Sequence, residues 1–97
     1  MLTAKDIENK LSEIKPYLAN RFHVSEIGYF GSYAKDTSTE ESDIDILIEF
    51  SVIPGWEFFV LEEYLENVFN RKVDLVTKGA LKKQLSEPIL KQVKYVG

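Results

Sequence analysis

The sequence Ser-Asp-Ile-Asp-Ile-Leu-Ile-Glu-Phe, at positions 42–50, carries the strongest secondary-structure signal in the chain. From Asp43 onward, residues alternate between two faces. Isoleucine and phenylalanine lie on one face, and the carboxylates lie with Leu47 on the other. This period of two predicts a β-strand over 43–50 whose isoleucine face packs on a core.

The segments around this strand predict a small fold that contains both helices and strands. Apolar residues at helical spacing and runs of β-branched residues alternate along the chain, and Gly and Pro separate them. The predicted elements are a helix over about 3–21, a strand over 24–30, a polar loop over 32–42, the strand over 43–50, a helix after Pro54-Gly55, a strand over 71–77 and one or two short helices from Ala80. This order predicts an α/β (α+β) fold with helices that flank a small mixed β-sheet.

Length and composition predict one globular domain. The 97 residues are 44% hydrophobic and 29% charged, which is ordinary for a folded protein and unlike a disordered chain. A chain of this length forms one modest core. We therefore expect a single domain over residues 1–97.

Several chemistries are excluded by residue usage. The chain has no cysteine and one histidine, His23, so disulfides, thiolate metal sites and cysteine nucleophiles are absent and zinc is disfavoured. No leader pattern and no apolar run near 18 residues occurs, which predicts a cytoplasmic protein that does not cross a membrane. The net charge of −4 argues against direct nucleic-acid binding.

Two carboxylates on the strand over 43–50 form the first candidate site. Asp43 and Asp45 are two residues apart, so their side chains leave the same face with Cα atoms about 6.6 Å apart. Oxygen ligands in this arrangement suit Mg²⁺, and two ions can clamp the attacking and leaving oxygens of a phosphoryl transfer. Taken by themselves, the two aspartates fit the solvated face of an edge strand better than a metal site.

A glycine-serine pair upstream gives this site its context. Gly31-Ser32 follows directly after the predicted strand over 24–30. Glycine allows close approach to the backbone, and the amides and hydroxyl that follow can hold phosphate oxygens. The two segments together favour a phosphate-handling site.

The composite pattern resembles a known superfamily. Gly31-Ser32, ten intervening residues and Asp43-Ile44-Asp45 resemble the signature of the DNA polymerase beta-like nucleotidyltransferases. Gly-Ser-Tyr-Ala-Lys at 31–35, together with the sequence at 42–50, is similar to the minimal nucleotidyltransferases, the MntA-like group, whose length and element order match the whole chain.

This resemblance implies a set of site residues. It implies a third carboxylate on a later strand, and Asp74 is the acid that fits; its alternative role is a partly buried acid held by backbone amides. It further implies Mg²⁺, with two ions, as cofactor and ATP as substrate. Asp43, Asp45 and Asp74 would be the catalytic and metal-binding residues, and Gly31, Ser32 and Lys35 would bind the nucleotide.

One position departs from the family pattern. The family often has Arg-Gly where this chain has Lys35-Asp36. Lysine keeps a positive charge but loses the two-pronged guanidinium, and Asp36 adds an anion near a polyphosphate site. The departure therefore predicts weaker nucleotide binding.

The resemblance also implies a function and leaves alternatives. In this group AMP from ATP is attached to a tyrosine of a HEPN-type ribonuclease toxin, so the chain would be the antitoxin of a toxin–antitoxin pair. The first alternative is a catalytically degenerate antitoxin that acts by binding alone. The second is a nucleotidyltransferase for a small molecule such as an antibiotic.

The remaining notable residues are predicted to be structural. His23, at the end of the first helix, is expected to pack against or cap that helix. Tyr33 can stack on a base or cover the sheet, and we favour packing. Trp56, Phe58 and Phe59 stand at helical spacing, which predicts core positions more often than a binding patch.

Overall fold

A computed structural model of the chain describes residues 2–83 and 87–97. Its elements are α1 (Ala4–Phe22), β1 (Val24–Phe30), β2 (Ile44–Phe50), α2 (Glu57–Phe69), β3 (Val73–Thr77), α3 (Lys78–Lys83), α4 (Glu87–Gln92) and β4 (Lys94–Tyr95). The predicted helices and strands are present, and the part of the C-terminal prediction that covers 84–86 lies outside the described residues. The two-residue strand β4 was not predicted, because two residues carry no periodicity.

The four strands form one mixed sheet in the order β3-β2-β1-β4. Strand β1 pairs antiparallel with both β2 and β4, whereas β2 and β3 are parallel. The prediction of a small mixed sheet flanked by helices is confirmed. This topology brings the end of β1 and the starts of β2 and β3 to the same edge of the sheet.

Helix α1 has defined signals at both ends. At its start the Thr3 hydroxyl accepts a hydrogen bond from the Asp6 amide at 3.1 Å, and the Asp6 carboxylate accepts one from the Thr3 amide at 3.0 Å. At its end His23 is left-handed, with φ of 60°, and its amide donates to the carbonyl of Leu18. The predicted capping role of His23 is confirmed. Pro16 lies inside this single helix, so the helix does not restart there.

The main core fills the space between one sheet face and helices α1 and α2. Alternate residues of β2 contribute Ile44, Ile46 and Ile48, which are at most 1% exposed. Tyr33 belongs to this cluster and is 2% exposed, so the favoured packing role is confirmed. The isoleucine face predicted for this strand is therefore the face that anchors the sheet.

A second, smaller cluster covers part of the opposite face. Leu47 and Phe30 are buried there, and partly buried residues of β3, α4 and the segment after α4 pack against them. The two-residue alternation grouped Leu47 with the solvated carboxylates. The structure corrects this, because the C-terminal segment covers Leu47 and leaves the start of β2 open.

The aromatic residues that precede and begin α2 are largely exposed. Trp56 is 77% exposed and Phe59 is 55% exposed, so their predicted core positions are wrong; Phe58 is half-buried. The buried stripe of α2 consists of Leu61, Leu65 and Phe69, which recur every four residues. Trp56 lies before the helix, and Phe59 falls outside that stripe.

Across residues 2–83 and 87–97, no helix is both long enough and apolar enough to cross a membrane.

Candidate active site

A tight helical turn follows β1 and carries the glycine-serine pair. The Lys35 amide donates to the Gly31 carbonyl at 3.0 Å, and the Thr37 amide donates to the Ser32 carbonyl at 2.9 Å. Gly31 begins this turn with φ of 71°, a left-handed conformation that glycine adopts at little cost. The turn therefore fixes Ser32 and Lys35 immediately beyond the end of β1.

Gly31 lies directly against one of the two paired carboxylates. A Cβ atom added to Gly31 would overlap Oδ2 of Asp45 and lie 3.0 Å from its Cγ. The sequence prediction was that glycine admits a close approach to the backbone. The group that approaches is the Asp45 carboxylate, which the strand pairing of Phe30 with Asp45 brings there.

The Asp74 carboxylate lies beside that of Asp45. Asp45 of β2 and Asp74 of β3 are register partners in the parallel pair, so both side chains leave the same face one strand spacing apart. Asp74 and Asp43 are exposed, whereas Asp45 is half-buried. Asp74 is thus not the buried acid of the alternative prediction, and its carboxylate is accessible to solvent and to a ligand.

The environment of Asp45 disfavours its charge. Burial raises the pKa of the Asp45 carboxyl above its ordinary value, and the negative charges of Asp74 and Asp43 raise this pKa further. Three mutually repelling carboxylates form a local negative potential that a cation would relieve. Carboxyl groups whose pKa is raised in this way cluster at functional sites.

The donor set fits Mg²⁺ by its chemistry. All three groups are carboxylate oxygens, and Mg²⁺ binds through one or two carboxylates and fills its other positions with water and phosphate oxygens. In the arrangement that the structure describes over residues 2–83 and 87–97, no three histidine, aspartate or glutamate side chains converge closely enough to hold one ion. Ligation of one ion by all three aspartates stays a prediction. Mg²⁺ needs only one or two carboxylate ligands from the protein.

The structure explains the departure at Lys35-Asp36. Asp36 ends the turn with φ of 60°, a conformation that favours glycine and that aspartate tolerates better than most residues. The family pattern has glycine at position 36 because the turn requires a left-handed backbone conformation there. The turn forms with Asp36 in place, and Lys35 remains exposed.

Replacing Asp36 with glycine is expected to raise the free energy of unfolding by about 0.5–1 kcal/mol, because it removes left-handed strain. The same change removes an anion near the predicted nucleotide site, so ATP should bind more tightly. Thermal unfolding and calorimetric titration with ATP and Mg²⁺ measure the two effects. An Asp36→Asn variant keeps the strain and removes the charge, and equal ATP affinity in wild type and Asp36→Asn would contradict the electrostatic part.

One residue at this edge was not singled out from the sequence. A guanidinium nitrogen of Arg71 donates to the backbone carbonyl of Glu40, and the neighbouring Lys72 carbonyl accepts from the Ile44 amide at 3.0 Å. These bonds connect the loop before β2 with the turn before β3. Arg71 also lines a shallow polar depression of about 330 Å³ that includes Asp43. A single cation before a strand gives no sequence signal for such a tertiary contact.

The hydroxyl of Tyr33 is buried without a hydrogen-bond partner among the described residues. Replacing Tyr33 with phenylalanine removes this unsatisfied group and keeps the ring, so we expect the free energy of unfolding to rise by on the order of 1 kcal/mol. Chemical denaturation measures this change. A loss of stability would mean that the hydroxyl has a partner, such as a buried water.

A glycine-serine turn beside paired aspartates on a mixed sheet, with a third aspartate on the adjacent strand, is the arrangement that the family resemblance predicted. The family model described as "Nucleotidyltransferase domain" matches residues 11–96, and the chain belongs to this family and is a nucleotidyltransferase. A relative from Thermococcus cleftensis, protein adenylyltransferase MntA, is 46% identical over 97 residues, which are 99% of this chain and 98% of the relative. A second relative, from Methanocaldococcus jannaschii and provisionally named a protein adenylyltransferase, is 47% identical over 83 residues, 84% of this chain and 85% of its own length.

Known structures agree with this family. A crystal structure of a toxin–antitoxin with AMP-PNP has a TM-score of 0.71 at 27% identity and covers 90% of this chain and 71% of its own. A structure provisionally described as a minimal nucleotidyltransferase has a TM-score of 0.77 at 24% identity and covers 96% of this chain and 95% of its own, which shows the shared fold. The resemblance to the minimal nucleotidyltransferases and the predicted nucleotidyltransferase fold are confirmed.

Proposed function

We propose that this chain, as a single domain, is a Mg²⁺-dependent protein adenylyltransferase that transfers AMP from ATP to a protein hydroxyl. The acceptor would be a tyrosine of a HEPN-type toxin, and the chain would be its antitoxin. The 46% identical relative is named a protein adenylyltransferase, and a 27% identical structure is a toxin–antitoxin with AMP-PNP. Both support an adenine nucleotide as substrate and a protein as acceptor.

The single observation that carries the catalytic part is the position of three aspartates beside the glycine-serine turn. In this proposal Asp43 and Asp45 hold Mg²⁺, and the bound ion supplies charge neutralisation at the phosphates. The Gly31-Ser32 turn and the Lys35 ammonium hold the phosphate oxygens of ATP. Asp74, the exposed acid on the adjacent strand, would complete the metal site and accept the proton of the acceptor hydroxyl in this proposal.

The proposed reaction is an in-line displacement at the α-phosphorus of ATP. The acceptor oxygen forms a bond to this phosphorus, and the bond between the α-phosphorus and the oxygen of the leaving pyrophosphate breaks. The Asp74 carboxylate accepts the proton of the acceptor hydroxyl, which raises the nucleophilicity of the oxygen. Most of the rate enhancement in such a site comes from positioning and charge stabilisation.

The shape of the carboxylate edge supports a protein acceptor. Asp43 and Asp74 are exposed, and the adjoining depression is shallow and lined by charged and polar residues. Small-molecule sites are usually concave and largely apolar. A hydroxyl presented by another macromolecule suits this open edge better than a small substrate does.

Labelled ATP tests the proposal directly. The purified protein is incubated with an extract of the cells that produce it and with ATP labelled at either the α- or the γ-phosphate. We expect an acceptor protein to gain label from the α-position only, and only with Mg²⁺. Mass spectrometry should then locate one or more AMP groups on tyrosine. Label from the γ-position would indicate phosphoryl transfer, and an unlabelled protein fraction with labelled small products would favour a small-molecule acceptor.

The alternative of an antitoxin that acts by binding alone has its own control. An Asp43→Asn, Asp45→Asn variant keeps the surface and removes two carboxylates. Labelling should disappear in this variant. Neutralisation of the toxin by the variant, as complete as by wild type, would favour contact alone.

A further inference from the structure

Exposed apolar side chains are concentrated in the segment from the end of β2 to the first turn of α2. Val52, Ile53, Trp56 and Phe59 are 56%, 94%, 77% and 55% exposed, and we call these four residues the Trp56 patch. The rings of Trp56 and Phe59 contact each other, with centroids 5.3 Å apart. Large exposed apolar side chains that lie close together in one segment suit a surface that another molecule covers.

An open depression adjoins the Trp56 patch. It has a volume of about 510 Å³, and its wall includes Ile48, Phe50, Pro54 and Ala80, with Ile53 shared between the depression and the patch. The Ile53 side chain, which is almost fully exposed, therefore stands at the wall of an apolar hollow on the same surface. Two copies of such a surface, related by a two-fold axis, can each insert the Ile53 side chain of one into the hollow of the other.

The charged residues around this surface carry both signs. Beside the patch, Arg21 of α1 bonds Glu57 at 2.6 Å, and beside the depression, Lys78 bonds Glu26 at 3.0 Å. Glu49 also lines the depression near Lys78. A rim that carries both signs can meet a copy of itself without like-charge repulsion, whereas a rim of acids alone would select a basic partner.

We propose that the Trp56 patch and its adjoining depression form a two-fold interface between two copies of this chain. The patch follows the end of β2, and Asp43 and Asp45 lie at its beginning, about 20 Å away along a seven-residue strand. The proposed interface is therefore at the opposite end of β2 from the carboxylate edge. The proposal does not depend on the adenylyl-transfer function.

Sedimentation of the purified chain over a range of concentrations tests the interface, and the only tryptophan in the chain, Trp56, reports on it by fluorescence. The sedimenting mass should rise towards twice the 11.2 kDa chain mass as concentration increases. The Trp56 emission should shift to shorter wavelength over the same concentrations, because the indole leaves water.

Variants at Ile53 make the test specific. Ile53→Glu and Ile53→Lys place a charge of either sign in the proposed interface, and each should weaken association at least about tenfold. Ile53 is almost fully exposed, so both variants should keep the fold, which circular dichroism and thermal unfolding check. Asn9→Glu, a charge at an exposed position near the start of α1, should leave association unchanged.

Two results would overturn the proposal. A chain that is monomeric at every concentration would leave the Trp56 patch for a different protein. A dimer that forms equally well in both Ile53 variants would place the interface on another surface.

Discussion

Replacing Asp45 with asparagine is expected to lower the rate of AMP transfer on the order of 10²–10³-fold while the fold becomes more stable. The loss of rate follows because a carboxylate that holds Mg²⁺ contributes several kcal/mol to the stabilisation of the transition state, and each 1.36 kcal/mol is a factor of ten in rate. The gain in stability follows because burial disfavours the charge of Asp45, and the charges of Asp74 and Asp43 repel it in the metal-free protein. Activity and stability therefore change in opposite directions at this residue.

The pH dependence separates this explanation from a general effect of the substitution. The pKa of Asp45 is raised in the folded protein, so the folded state favours the protonated carboxyl. The protonated Asp45 carboxyl makes its full contribution to the free energy of unfolding below the ordinary aspartate pKa of 3.8. This contribution is lost as pH rises through the higher pKa of the folded state. The stability advantage of Asp45→Asn should be absent below the ordinary aspartate pKa of 3.8 and should grow as pH rises through the folded pKa of Asp45. Thermal unfolding in the presence of a metal chelator, at a series of pH values, measures it.

A matched control is available on the same strand. Glu49→Gln makes the same chemical change at an exposed position of β2, four residues from Asp45 and away from the carboxylate edge. It should leave the rate of AMP transfer unchanged. Full activity in Asp45→Asn would remove Asp45 from the proposed catalytic residues, and a stability difference that does not depend on pH would contradict the electrostatic explanation.

The sequence predicted the parts of the fold that depend on local periodicity. The alternation in β2 and the capping signals of α1 depend on residues within a few positions of each other, and the structure has these elements within about two residues of the predicted bounds. The placement of Asp74 beside Asp45 came from family resemblance. The sequence by itself could not supply it, because the register of a parallel pair depends on residues far apart in the chain.

Tertiary contacts account for what the sequence did not predict. Leu47 is buried because the C-terminal segment folds over its face, and Arg71 reaches the loop before β2 from the turn before β3. Trp56 and Phe59 are large apolar residues of the kind that fill cores, but Trp56 lies before α2 and Phe59 lies outside its buried stripe, so both are exposed. The left-handed turn at Asp36 was not expected, because aspartate has no strong preference for that conformation.

Replacing Gly31 with alanine is expected to cost on the order of 3 kcal/mol of stability and to lower activity by about 100-fold. The two effects have separate causes. A left-handed φ of 71° is costly for any residue with a Cβ atom, and this backbone strain destabilises the fold. The new methyl group would also occupy the position of the Asp45 carboxylate, which must rotate away. A displacement of about 1 Å in a catalytic group is enough to lower a rate about 100-fold.

Gly79→Ala is the control for this substitution. Among the described residues, nothing lies within 4 Å of a Cβ atom added at Gly79, which belongs to α3. Alanine there should therefore raise stability by up to about 1 kcal/mol and leave AMP transfer unchanged. Denaturant unfolding and initial rates measured on both variants compare the two glycines. If Gly31→Ala were destabilised yet fully active, the close approach of Gly31 to Asp45 would have only a structural role. If it were as stable as wild type, the left-handed turn after β1 would not be needed for the fold. Loss of both properties would establish that one glycine sets the backbone of the turn and also the position of the carboxylate on the next strand.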